Sequence, residues 1–171
     1  MRFPVLGLLT AGLVAGQIVA APLAAAQCVR PADHASFDIT ALKTSLLVVA
    51  LTCGADERYN AFVRKYQPEL AAQDHALGAY FTRVHGRTGR KQQDDYVTQL
   101  ANSQSQVGNQ QGKWFCSHNL PAFDEVMALH SSGELAEFAA GKSVAQPINV
   151  TACGTTPAST RSTPSRSRRR S

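Results

Sequence analysis

Four cysteines and five histidines are the side chains best equipped for nucleophilic, redox or metal chemistry in this sequence. Their spacing argues against most of it. His34, His75, His85, His118 and His130 stand singly, and no CxxC, HExxH or ExxH occurs. A zinc site read from sequence needs such clusters, so neither a metal nor a cofactor is expected. The one Cys/His proximity is Cys116-Ser117-His118. A Cys–His nucleophile is conceivable there, but residues i and i+2 point apart on a helix. A disulfide is the better use of that cysteine in an exported chain. No Gly-x-Ser-x-Gly elbow is present. Paired carboxylates for glycoside hydrolysis must sit about 5 to 9.5 Å apart across a cleft. Asp94 and Asp95 are adjacent, at what reads as a helix start, where the helix dipole accounts for them. Glu57 with Asp95 would serve only if two helix starts converge. No catalytic residue is assigned.

One polar constellation remains. Asp95, Thr98, Asn102 and Ser105 recur at 3-4-3 spacing and so share a helix face. With Asn60 they could line a ligand groove. The competing reading is a solvated face, polar as surface helices are, with a buried Asn60 tying helix ends together.

The elements that must position these residues lie behind an export signal. Residues 1–26 combine Arg2, an apolar run from Val5 to about Ala21, and Ala24-Ala25-Ala26 ahead of Gln27. That is the pattern of a cleaved secretory signal. A permanent anchor is the alternative, disfavoured by the Ala-rich end and by Gly7, Gly12 and Gly16. The chain is expected in the periplasm or outside the cell, with no transmembrane segment after cleavage. The second greasy run, Leu46 to Leu51, is only six residues, against the roughly 20 needed to cross a bilayer.

That run belongs instead to a buried helix. Ile39, Leu42, Leu46, Val49 and Cys53 fall on one face, with Asp38 as N-cap and Gly54 just past the end. Tyr59, Phe62, Val63, Tyr66 and Leu70 form the next stripe, capped by Asp56. Pro68 either kinks that helix or begins another. Leu77, Tyr80, Phe81 and Val84 follow and stop at Gly86, and residues 85–93 read as a basic loop. Asp94 and Asp95 open a helix with the stripe Tyr96, Val97, Leu100, Ala101, Gln104 and Val107. Residues 108–113 read as a break. Pro121 starts a further helix, and Ser131 with Glu134 caps a last one, which buries Leu135 and Phe138 and stops at Gly141. The fold class is therefore all-α: an irregular four- to five-helix bundle with two disulfides and a disordered C-terminal tail. Leu42, Leu46, Val49, Phe62, Tyr66, Phe81, Leu100, Phe115, Phe123 and Val126 are expected in one core.

The domain spans residues 27–153. Cys53 and Cys116 both neighbour large apolar side chains, while Cys28 and Cys153 flank the body. A nested pairing follows: Cys53 with Cys116, and Cys28 with Cys153. The sequential pairing, Cys28 with Cys53 and Cys116 with Cys153, is the alternative. Residues 154–171 hold no large apolar side chain and five arginines: Arg161, Arg166, Arg168, Arg169 and Arg170. Those five equal the chain's formal excess of +5; without them and Arg2, 11 basic residues face 12 acidic ones. A neutral body argues against specific nucleic-acid binding. The tail is either a solvated extension or an anchor to anionic envelope polymer or lipid.

The segments LLVVALTCG, RYNAFVRKYQPEL, LGAYFTRVHG, DDYVTQLANSQS and FCSHNLPAFDEVMAL occur in that order. In them the chain resembles a family of small exported alphaproteobacterial proteins without an assigned biochemical activity. The resemblance runs from about Cys28 to Cys153. It implies an exported four-cysteine helical domain and transfers no catalytic or ligand residue. Three functional readings follow: a non-catalytic periplasmic or envelope binding or structural factor; a small cell-wall-directed hydrolase; and an anionic-polymer binder acting through the tail.

Overall fold

A computed structural model describes residues 29–150. The signal, the tail with its five arginines, Cys28 and Cys153 lie outside the described residues. Within them the chain is all-α apart from one bridge residue, Val29. Five helices have ten or more residues: α1 (Pro31–Cys53), α2 (Asp56–Lys65), α3 (Gln67–His85), α4 (Gly89–Gln111) and α7 (Ser132–Lys142). Two short ones, α5 (Lys113–Asn119) and α6 (Pro121–Ala128), join α4 to α7.

α1 is the axis, packed by α2, α3, α4, α5 and α7. It is long and apolar enough to cross a membrane by length and composition, yet 61% of that apolar stretch is buried in the bundle. Ile39, Leu42, Leu46 and Val49 are buried on the expected stripe, but so are Phe37, Ala41, Val48 and Ala50. Buried Ser36 and Thr44 satisfy their hydroxyls on carbonyls of their own helix, Asp33 (2.6 Å) and Thr40 (2.8 Å). The helix begins at Pro31, not after Asp38. Proline suits the first turn because its missing N–H would be unpaired there anyway. Asp38 instead lies inside α1 and pairs with His34, 2.8 Å away. Gly54 ends α1 as expected, in the left-handed region at φ +67°, with its N–H on Ala50 O.

Pro68 starts a new helix rather than kinking the old one, and Tyr66 is the turning point between α2 and α3. Asp56 is the first residue of α2, not its cap. Two expected breaks are displaced. The basic loop is only a 3-10 turn, Gly86–Thr88, and α4 starts at Gly89. That glycine serves packing: a Cβ there would sit 2.6 Å from Thr82 Cα and 2.7 Å from Phe81 O. The second break shrinks to Gly112, while Gly108 is helical and buried against Phe115. Asp94 and Asp95 are consequently inside α4. Ser131 caps α7, accepting from Glu134 N at 3.2 Å, and Glu134 accepts from His130 N at 2.9 Å. α7 runs one residue past Gly141, to Lys142.

All ten expected core residues are buried, but in two clusters. The first gathers the Leu42–Leu46–Val49 face with Phe62, Tyr66, Phe115, Phe123, Val126 and Leu135. The second joins Phe37 and Ala41 to Leu77, Phe81, Tyr96 and Leu100. Phe81 and Leu100 therefore belong to a separate core, on another side of α1.

Candidate functional site

The Cys53–Cys116 disulfide joins the end of α1 to α5, with the Cα atoms 5.6 Å apart. It agrees with the nested pairing and removes Cys116 as a nucleophile. The other half of that pairing, Cys28 with Cys153, lies outside the described residues. Val29 and Val150, the outermost described residues, both pack on the second cluster.

The polar face of α4 is solvated. Thr98 and Asn102 are exposed, Asp95 is half-buried, and Lys91 pairs with Asp95 at 2.5 Å. Thr98 lines a shallow groove with Asp74, Arg90 and Asp94, between α3 and α4. Asn60 is elsewhere. It is exposed on α2, which packs on α1, α3 and α6, so it is not the buried tie between helix ends. Glu57 sits at the start of α2, but Asp95 lies well inside α4, so it does not stand at a helix start as pairing it with Glu57 required.

A partly enclosed cleft of about 220 Å³ lies between α1, α5, α6 and the end of α7. Its floor is the apolar face of α1, Leu42, Leu46 and Val49, with Ala122 from α6. Its rim carries Ser45, His118, Asn119, Glu125 and Lys142. Four of these five come from outside α1, so only the tertiary fold assembles them. The sequence signalled His118 alone, through Cys-Ser-His.

Local structure fixes each rim group. The exposed His118 ring stacks one turn from Trp114, at 4.2 Å and 16° between planes. Asn119 donates from Nδ2 to Phe115 O at 2.8 Å, which leaves its amide oxygen as an acceptor. Lys142 and Glu125 form an ion pair linking α7 to α6, and the ammonium also lies 4.7 Å from the Phe138 ring centre. Among the described residues the Ser45 hydroxyl and the His118 ring nitrogens have no hydrogen-bond partner. Ser45, His118 and Glu125 thus share a cleft without forming a relay: His118 bonds neither residue, and Glu125 is held by Lys142. Nothing there raises the nucleophilicity of Ser45.

Charge outside the cleft is structural. The buried Asp33 carboxylate accepts from Arg30 Nε (2.7 Å) and Nη2 (3.1 Å), and from Arg83 Nη2 (2.7 Å). The Arg30 hydrogen bonds, with Arg83 nearby, hold it below the usual carboxylate range against the opposing effect of burial. Burial, and then the nearby Asp38 charge, push the Tyr96 phenol up; its hydroxyl donates to Gln146 Oε1 at 2.6 Å. Lys65 and Tyr66 close the C-terminal end of α6. Lys65 Nζ donates to Met127 O (2.6 Å) and Leu129 O (2.7 Å), and Tyr66 OH to Val126 O (2.8 Å). Among the described residues no buried side-chain polar atom lacks a partner, and no group of three or more His, Cys, Asp or Glu is placed to hold a metal.

No family model, no curated protein and no solved structure matches this chain.

Proposed function

We propose that this chain works in the cell envelope as an exported, non-catalytic binding or structural factor. The Cys53–Cys116 disulfide carries the reading. Disulfides persist in oxidising compartments and are rare where glutathione keeps thiols reduced. The N-terminal pattern of Arg2, apolar run and Ala24-Ala25-Ala26 supports the same compartment. The α1–α5–α6–α7 cleft supplies a place to bind. Its apolar floor and polar rim suit recognition, and its unlinked Ser45, His118 and Glu125 favour binding over hydrolysis. The test is expression of the full chain in a Gram-negative host. A product beginning at Gln27, without free thiols, in the periplasm or medium is expected. Cytoplasmic product with residues 1–26 retained and cysteines reduced would refute it.

Attachment to anionic lipid or polysaccharide is proposed for Arg161, Arg166, Arg168, Arg169 and Arg170. Such binding should fall steeply with ionic strength, since exposed charges are screened beyond about 8 Å at physiological salt. It should vanish in a chain ending at Cys153, without loss of thermal stability. Salt-insensitive binding by that shortened chain would move the contact to the body.

A further inference from the structure

We infer that the cleft takes a small uncharged amphiphile, an apolar ring or chain of about ten non-hydrogen atoms ending in a hydroxyl or amide. The inference rests on the binding reading above and gives the ligand its chemistry. Size sets the first limit. An apolar cavity of roughly 150 Å³ holds benzene, so about 220 Å³ admits a benzene-sized body and a short polar arm. The floor, Leu42, Leu46 and Val49, offers nothing but apolar contact. Charge sets the second limit. The two charged rim groups, Glu125 and Lys142, are paired with each other, so the rim is neutral overall. A charged head would have to displace one member of that half-exposed pair, at a modest cost, or lie without a counter-ion beside an apolar wall. A neutral head meets groups that no other described residue engages: the Ser45 hydroxyl, the His118 nitrogens and the Asn119 amide oxygen.

The structure also supplies a reporter. Trp114 is the chain's single tryptophan and stacks on His118, so occupancy of the cleft should alter its emission. The experiment titrates the full oxidised chain with 2-phenylethanol, phenylacetate and 2-phenylethylammonium at pH 7, by calorimetry and Trp114 fluorescence. The alcohol should bind with a Kd of about 1 mM or tighter, a modest efficiency for a ligand of this size. It should bind at least about tenfold more tightly than either charged congener, the factor matching roughly 1.4 kcal/mol. Ala122→Leu, which fills the cleft, should abolish binding. His118→Phe, at an exposed position that need not disturb folding, should keep the ring stack and weaken binding several-fold. A charged congener that binds best and is blocked by Ala122→Leu would overturn the neutral-head assignment while leaving the chain a binding protein. Binding indifferent to both substitutions would overturn the site. No binding by any of the three would overturn the inference and leave the structural half of the proposed function standing.

Discussion

The two cores of this bundle are held by different means. The first draws on helices of 10, 7, 8 and 11 residues around one side of α1. Isolated helices below about 12 to 15 residues are marginal in water, and here each is tied down. α5 carries the disulfide, α6 has its last carbonyls held by Lys65 and Tyr66, and α7 has its Ser131–Glu134 cap. The second core lies between α1 and the long pair α3 and α4, of 19 and 23 residues. Among the described residues no disulfide crosses it. Rings do the work there: Phe37 lies 4.9 Å from Tyr80, 5.4 Å from Tyr96 and 6.0 Å from Phe81. One carboxylate, Asp33, clamps α1 to α3 through Arg83. Short elements are held by links at their ends, long ones by continuous packing.

The largest expected effects test whether the two cores are one cooperative unit. Phe62→Ala and Phe37→Ala each empty a fully buried site and should each cost about 3 to 5 kcal/mol. Because α1 serves both cores, each variant should lower a single melting transition. If Phe37→Ala leaves amide protection in α5–α7 untouched, the cores unfold separately and the shared-axis view is wrong.

Removing the disulfide should separate the cores more sharply. In the loop-entropy model, a cross-link spanning 63 residues stabilises by about 4 kcal/mol. Paired Cys53→Ala and Cys116→Ala substitutions should therefore raise hydrogen exchange in α5 and α6 well before α3 and α4. Equal loss everywhere would argue that the link serves the whole bundle. Peptide mapping without reduction checks the nested scheme at the same time: Cys28 should be found linked to Cys153, consistent with Val29 and Val150 sharing the second cluster. A Cys28–Cys53 peptide pair would refute it.

Gly89→Ala probes the close approach of α3 and α4. Its Cβ would fall on the Thr82 backbone, so about 1 to 3 kcal/mol should be lost despite alanine's better helix propensity. A neutral or stabilising result would mean the two helices can spread without cost.

The smallest effect is electrostatic. Asp33→Asn should cost about 1 kcal/mol at neutral pH, below the roughly 1.5–3 kcal/mol of hydrogen bonds to charged groups, because Arg30 and Arg83 are 58% and 39% exposed and regain water. Asp33 is depressed in the folded state, so its contribution is fully present above the unfolded value near pH 4. It is lost as the pH falls through the lower folded value. The gap between wild type and variant should thus close in acid. A gap that does not narrow as the pH falls would show that shape, not charge, is what the carboxylate supplies.

Much of this was legible before the fold. Helix stripes were readable because burial of Leu42, Leu46 and Val49, or of Phe62 and Tyr66, repeats at the helical period. Gly54 and Gly86 were readable because their backbone constraints are local; Pro68 marked a break whose form, kink or new helix, only the fold decided. Ser131 and Glu134 were readable because a cap is a four-residue event. The start of α1 was missed because Asp33, Ser36 and Thr40 look like surface. In the fold they are buried, Asp33 paired with arginines and Ser36 hydrogen-bonded to its own helix. Gly89 looked like a loop because a glycine needed for close packing and one needed for a turn are the same letter. The sequence by itself thus determined an all-α chain, its helix stripes and most of its stops, since these depend on neighbours within about four residues. The tertiary structure alone decided that there are two cores and that Ser45, His118, Asn119, Glu125 and Lys142 share one rim, and it settled Cys53–Cys116 over the sequential pairing. Those facts depend on how helices far apart in the chain pack, and a hydrophobic stripe says only that it will be covered, not by what.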